Sequence, residues 1–261
     1  LIGTPPISDA FWKKTAESVS PALILDYDGT LAPFSRDPSR AVPYQGVRDL
    51  LVAIVDGRTR AFVVSGRSGA DVMRLLDVPG VEVWGEHGGE RLEPNGADIL
   101  FSLGEEQSAF LDEAGRRGGK SGGNLRFERK RLSLAVHARG MPEGNRFLES
   151  VAREWRFLLE AGDSGFVLRQ FDGGLELRLG NVTKALAVTD IIRRTGDSDA
   201  IAYLGDDLTD EDAFHALGCR GLSVLVRKAF RPSSARCLII PPGELIAFLR
   251  KWEASTKGEK R

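Results

Sequence analysis

Cysteine is almost missing from this chain: Cys219 and Cys237 are the only two in 261 residues. Two thiols so far apart exclude a zinc cluster and a disulfide framework, leave room for at most one bridge, and fit a reducing cytosol most simply. An excess of either charge is missing too, with 36 Lys and Arg against 37 Asp and Glu. That balance argues against a nucleic-acid binder or a membrane-surface protein, so selectivity has to come from a local site. No apolar stretch approaches the roughly 20 residues of a spanning helix, and the first residues lack the basic-then-apolar pattern of a secretory signal. The expectation is a cytoplasmic protein with no membrane partner. Leu1, not Met, is the first residue, which leaves a preceding segment open. No internal repeat is long enough for a solenoid.

What is present is a succession of short apolar runs that end in Gly- or Asp-rich loops: Ala22–Leu25, Ala61–Val64, Val81–Trp84, Ala200–Leu204, Leu222–Val226 and Cys237–Ile240. Continuous apolar runs of this length read as strands buried on both faces. Helical periodicity falls between them, at Val47–Val55, Gly69–Leu76, Thr183–Arg194, Asp210–Leu217 and Glu244–Trp252. Such alternation predicts an α/β fold, a Rossmann-like parallel sheet with helices on both faces.

From about Gly104 to Leu179 the pattern changes to a helix, two alternating strands, a second helix and two more strands. Glu105–Arg116 and Gly144–Leu159 are the helices; Leu125–Phe127, Leu132–Ala138, Phe166–Arg169 and Leu175–Leu179 are the strands, with Asp172-Gly-Gly174 as a hairpin turn. The expectation is an inserted α+β cap, residues 101–179, within a core made of 1–100 and 180–261. Two similar helix-strand-strand units are expected inside it. Gly115–Gly123 reads as a mobile loop and the basic end after Ser255 as disordered.

Chemistry gathers where strands end. Asp26-Tyr-Asp-Gly-Thr30 follows the first apolar run, where open α/β sheets bind ligands. Two carboxylates one residue apart can face one cleft only if the chain leaves strand geometry, which Gly29 permits. Their mutual repulsion is relieved by a divalent cation. A tight turn with solvated acids is the bland alternative. Gly205-Asp-Asp-Leu-Thr-Asp-Glu211 follows another run; capping explains Asp210 and Glu211, but explains Asp206 and Asp207 less well. Two acidic loops on one sheet offer oxygen ligands suited to Mg²⁺. Lys184, after the N-cap candidate Thr183, sits where a helix N-terminus attracts anions, and Ser65-Gly66-Arg67 is a second candidate phosphate loop. A surface lysine and a plain turn are the respective alternatives.

Taken in order, these four segments resemble the haloacid dehalogenase superfamily of phosphatases, and with Gly85-Glu-His-Gly88 they resemble its trehalose-phosphatase family. Glu128-Arg-Lys130, Ser133-Leu-Ala-Val-His137 and Leu175-Glu-Leu-Arg178 are similar to that family's cap. The resemblance implies hydrolysis of trehalose 6-phosphate, with Asp26 as nucleophile and Asp28 as general acid/base. It implies Mg²⁺ held by Asp26, the Asp28 carbonyl, Asp206 and Asp207, with Asp210 nearby. Ser65, Gly66, Arg67 and Lys184 become the phosphate-binding group; Glu128, Lys130, His137, Glu176 and Arg178 become the substrate-binding group of a cap that closes and excludes water. A paired strand histidine and a surface ion pair are the bland alternatives for His137 and for Glu176 with Arg178. The chain departs from the family in having Ala185 where Gly usually follows the lysine. A sugar phosphate is the expected small-molecule partner and a monomer the expected state. The rivals are a phosphatase of a sucrose, glucosylglycerol or mannosylglycerate phosphate, a non-catalytic sugar-phosphate sensor, and phosphoryl transfer to a second sugar.

Overall fold

The structure, a computed structural model, describes residues 7–35, 37–93, 96–171 and 173–258. Among the described residues there are twelve strands: β1 (Ala22–Leu25), β2 (Arg60–Val64), β3 (Glu82–Gly85), β4 (Glu90–Glu93), β5 (Gly96–Ile99), β6 (Arg126–Arg129), β7 (Ser133–His137), β8 (Phe166–Phe171), β9 (Gly174–Leu179), β10 (Ile201–Gly205), β11 (Leu222–Val226) and β12 (Cys237–Ile239). The helices are α1 (Asp9–Glu17), α2 (Val47–Asp56), α3 (Gly69–Leu76), α4 (Glu105–Gly119), α5 (Gly144–Glu160), α6 (Lys184–Arg194), α7 (Glu211–Leu217) and α8 (Gly243–Thr256). The chain forms two compact units; one runs to Asp98 and resumes at Thr183, and the other is Ile99–Val182.

In the first unit the sheet order is β12-β11-β10-β1-β2-β3-β4-β5, parallel from β12 to β3 and antiparallel between β3 and β4. The chain builds outward from β1 through β2 and β3, then returns to lay β10 on the other side of β1. The strand order therefore reverses beside β1, the point at which such sheets open a crevice. Alternation along β1 decides its two faces. Leu23 and Leu25 pack with Leu51, Ile54, Phe248 and Trp252 under α2 and α8, whereas Ala22 and Ile24 pack with Val188, Ile191 and Phe214 under α6 and α7. By the same period Asp26 falls on the α6 side and Tyr27 on the other.

In Ile99–Val182 the antiparallel order is β6-β7-β9-β8. The two helix-strand-strand units, α4-β6-β7 and α5-β8-β9, thus meet through their second strands. Leu134, Val136, Leu175 and Leu177 face Leu111, Val151 and Trp155 of the helices. The intervening positions put Glu128, Ser133, His137, Glu176 and Arg178 on the opposite face, because directly paired residues share a side.

Several boundaries and elements differ from the sequence-based expectation. Helix α4 runs through Gly115 to Gly119, where a mobile loop was expected from Gly115 onward. Gly118 serves packing there: a Cβ on it would lie 2.8 Å from the Phe127 ring, and one turn earlier Trp155 Nε1 donates to the Ala114 carbonyl at 2.9 Å. Thr256, placed in a disordered end, is buried in α8, where its hydroxyl donates to Trp252 O; residues 259–261 lie outside the described ones. Asp172 of the expected hairpin turn lies outside them too, while Phe171 and Gly174 on either side pair across β8 and β9. Helix α1 and strands β4 and β5 had no expectation. Both cysteines are free, Cys219 exposed and Cys237 buried. No described helix is long and apolar enough to cross a membrane.

Candidate active site

Three neighbouring strands, β2, β1 and β10, end side by side, and each delivers one polar group. Asp26 follows β1 directly, its N–H donating to Leu204 O of β10 at 2.8 Å. Asp206 follows β10, and Ser65 follows β2, its N–H donating to Trp84 O at 2.9 Å. Helix α6 opens with Lys184, which is buried beside them. Thr183 occupies the N-cap position but makes no side-chain capping hydrogen bond.

Lys184 Nζ donates to Asp26 Oδ1 at 2.5 Å and to Asp210 Oδ1 at 2.7 Å. Asp210 is a hub: Tyr203 OH donates to its Oδ1 at 2.6 Å, and the Asp206 and Asp207 amides donate to Oδ2 at 3.0 and 2.9 Å. The acidic loop is thereby wound around one buried carboxylate. The carboxylates of Asp26, Asp206 and Asp210 offer oxygens within 4.8 Å of one another. Asp207 is instead engaged at the head of the following turn, where its carboxylate accepts from Leu208 N at 2.8 Å.

Crowding three acids around one lysine has an electrostatic consequence. Burial, outweighing the attraction of Lys184, pushes the Asp26 carboxyl up to about 7, with Asp210 and Asp28 adding repulsion. Burial followed by Asp26 and Asp210 drives Asp206 well above the usual carboxylate range. Burial disfavours the Lys184 charge, but Asp210 and Asp26 overcome it and hold the ammonium more firmly than in water.

The residues fit a hard divalent cation on two observations. Asp206 Oδ1 is buried with no hydrogen-bond partner among the described residues, an orphaned carboxyl oxygen beside two further acids. Gly29, at φ 86°, lets the first loop close onto it: a Cβ there would sit 2.2 Å from Asp206 Oδ2. Asp206 and Asp26 are the residues that would hold the ion, with Asp210, whose two oxygens already accept from Lys184, Tyr203 and two amides, close by.

Asp28 and Arg67 form a second group. Arg67 Nε donates to Asp28 Oδ2 at 2.5 Å and Nη2 to Oδ1 at 2.7 Å. The Ser65 hydroxyl accepts from the Arg67 amide at 3.2 Å. Behind this loop stand Glu86 and His87, non-glycine residues at φ 47° and 59°. Their amides donate to Arg67 O at 2.7 Å and Ser65 O at 2.8 Å, and the His87 ring fills the space a Gly66 Cβ would need. Backbone strain of this kind persists only where surroundings enforce it.

In the other unit Glu176 Oε1 accepts from Ser133 Oγ at 2.7 Å and Lys130 Nζ at 3.2 Å, and Glu128 contacts His137 Nε2 at 2.9 Å. The hydrogen bond from His137 pulls the Glu128 carboxyl down to about 2, against the cost of burial. Arg178 is buried beside Ser133 on the same sheet face. The central place of Asp210 and the role of Tyr203 were not legible from sequence, although Tyr203 shares the strand face of Ile201, two residues away.

The family model described as trehalose-phosphatase matches residues 24–236. The chain belongs to the trehalose-phosphatase family. A trehalose-phosphate phosphatase of Mycobacterium avium is 32% identical over 228 residues, covering 79% of this chain and 54% of that protein. A probable trehalose-phosphate phosphatase of rice is 29% identical over 259 residues, covering 88% of this chain and 68% of its own length. The chain thus spans about half the length of the mycobacterial relative. Among solved structures, the C-terminal domain of the Candida albicans trehalose-6-phosphate phosphatase superposes with a TM-score of 0.84 at 22% identity, covering 96% of this chain and 98% of that one. A haloacid dehalogenase-like hydrolase from Bacteroides thetaiotaomicron gives 0.65 at 16%, covering 89% and 99%. The fold of this chain, a Rossmann-like core sheet with a second α+β unit, is thus shared with both structures.

Proposed function

We propose that this protein is a Mg²⁺-dependent phosphatase that hydrolyses trehalose 6-phosphate to trehalose and phosphate through an aspartyl phosphate on Asp26. The observation that carries the reading is the buried Asp26 carboxylate, hydrogen-bonded to Lys184 and grouped with Asp206 and Asp210 at the carboxyl end of the sheet. The family supports the substrate.

Asp26, Asp206 and the Asp28 carbonyl would hold Mg²⁺, which would supply charge neutralisation that lets an anionic nucleophile meet an anionic phosphate. An Asp26 oxygen attacks the phosphorus in line, the bond to the sugar oxygen breaks, and Asp28 gives that oxygen its proton. Asp28 then takes a proton from a water whose oxygen attacks the same phosphorus, releasing phosphate and restoring Asp26. Lys184 and the Ser65 hydroxyl face the charge on the equatorial phosphoryl oxygens. Glu128, Lys130, His137, Glu176 and Arg178 are proposed as partners of the sugar hydroxyls.

Values of kcat/KM over a panel of sugar phosphates test the substrate. Trehalose 6-phosphate is expected to lead; another sugar phosphate ahead of it by about a hundredfold overturns the assignment. Stoichiometric binding with no phosphate release favours the sensor reading.

A further inference from the structure

Asp28 moves protons in the proposed reaction, yet it stands on a loop with a side chain 28% exposed, where a carboxylate turns freely unless something holds it. What holds it is Arg67. The guanidinium meets Asp28 fork to fork, through Nε at 2.5 Å and Nη2 at 2.7 Å, and its remaining nitrogen, Nη1, donates to Pro38 O at 2.8 Å. The carbon of the fork also lies 5.7 Å from the centre of the Tyr27 ring, a cation–π contact that adds to its restraint. Tyr27 is anchored in turn by its buried hydroxyl, which donates to Ala41 O at 2.7 Å. Arg67 is thus tied to Asp28, to the residue before it and to the loop after the first motif.

Resting on the phosphatase reading above, we propose that Arg67 is a positioning residue whose fork aims the Asp28 carboxylate, and that it is not a ligand of the transferring phosphate. Nε and Nη2 are committed to Asp28 and Nη1 to Pro38 O, so every nitrogen of the fork already donates to a protein oxygen. A planar two-point contact fixes both the direction and the plane of a carboxylate, which one ammonium cannot do. Misplacing a proton-transfer group by about 1 Å costs on the order of a hundredfold in rate.

The test compares kcat/KM for two substrates that differ in their need for an acid. A sugar alkoxide leaves only when protonated, whereas p-nitrophenolate leaves with little help, and kcat/KM reports the step that expels it. Arg67→Ala is expected to lower kcat/KM on trehalose 6-phosphate about a hundredfold, and to lower it on p-nitrophenyl phosphate at least tenfold less. Asp28→Asn should show the same asymmetry, and the double variant should be no worse than Asp28→Asn alone. Arg67→Lys, which keeps charge but loses the fork, covers the case in which the alanine variant does not fold, and should show the same asymmetry to a smaller degree. Equal losses on both substrates, or a raised KM with unchanged kcat, would overturn the positioning role and return Arg67 to the phosphate. A wild-type protein inactive on both phosphates would instead sink the phosphatase reading itself.

Discussion

At the scale of single residues, the account rests on a buried carboxylate whose charge has to be made tolerable. Asp26 has its carboxyl raised from 3.8 to about 7 by burial, against the attraction of Lys184. A carboxyl raised on folding contributes stability that is fully present below about 3.8 and is lost as pH rises through about 7. Metal-free protein in a chelator should therefore lose stability between these limits, with a slope from this group of up to about 1.4 kcal/mol per pH unit. Denaturant unfolding of wild type and Asp26→Asn at several pH values checks it; parallel slopes would refute the assignment. Lys184→Met leaves Asp26 and Asp210 without their shared cation. At neutral pH in a chelator that loss should cost roughly 3–5 kcal/mol of stability. Gly29→Ala would place a Cβ 2.2 Å from Asp206 Oδ2 at a φ of 86°. It should weaken Mg²⁺ affinity at least about tenfold, as outer contacts to metal ligands typically do, measured by calorimetry on folded protein.

At the scale of elements, legibility followed burial. The six core strands announce themselves because a parallel strand covered on both faces is mostly apolar, and β1, β10 and β11 are buried residue by residue. The acidic loops at their ends stand out against that background, which is why Asp26, Asp28 and Asp206 could be picked out before any coordinates. Strands β4 and β5, Glu90–Glu93 and Gly96–Ile99, were silent because strands at a sheet edge carry charge and no continuous apolar run. The end of α4 was misread for another reason. Glycine-rich sequence signals a loop by propensity, yet Gly118 is needed where Phe127 and Trp155 press against the helix. Asp210 was hidden because a residue that caps a turn and one that binds a buried lysine look alike in sequence. Gly118→Val should thus destabilise the protein by about 1–3 kcal/mol through overpacking, seen as a lower denaturant midpoint with an unchanged slope. A stabilised variant, as helix propensity alone would give, would contradict that packing.

At the scale of the whole molecule, the two units have separate cores: the first packs around Leu23, Leu51 and Trp252 on one face of its sheet and around Ile24, Val188 and Phe214 on the other, the second around Leu134, Trp155 and Leu177. Leu177→Ala should cost about 2–5 kcal/mol and speed hydrogen exchange in residues 99–182 far more than in β1 or β10. Equal acceleration in both would mean that they unfold as one. The division also separates chemistry from choice: every group proposed to act on phosphorus lies in the unit of the eight-stranded sheet, and every proposed sugar partner in the other. The most direct test of the central claim is acid quenching of a single turnover with trehalose 6-phosphate and Mg²⁺, followed by mass spectrometry of the peptide that contains Asp26. The account predicts a transient phosphoryl adduct on Asp26, longer-lived in Asp28→Asn and absent in Asp26→Asn, which should also lose at least about 10⁴-fold in kcat. Complete turnover with that peptide unmodified at every time point, or near-normal turnover by Asp26→Asn, would contradict it.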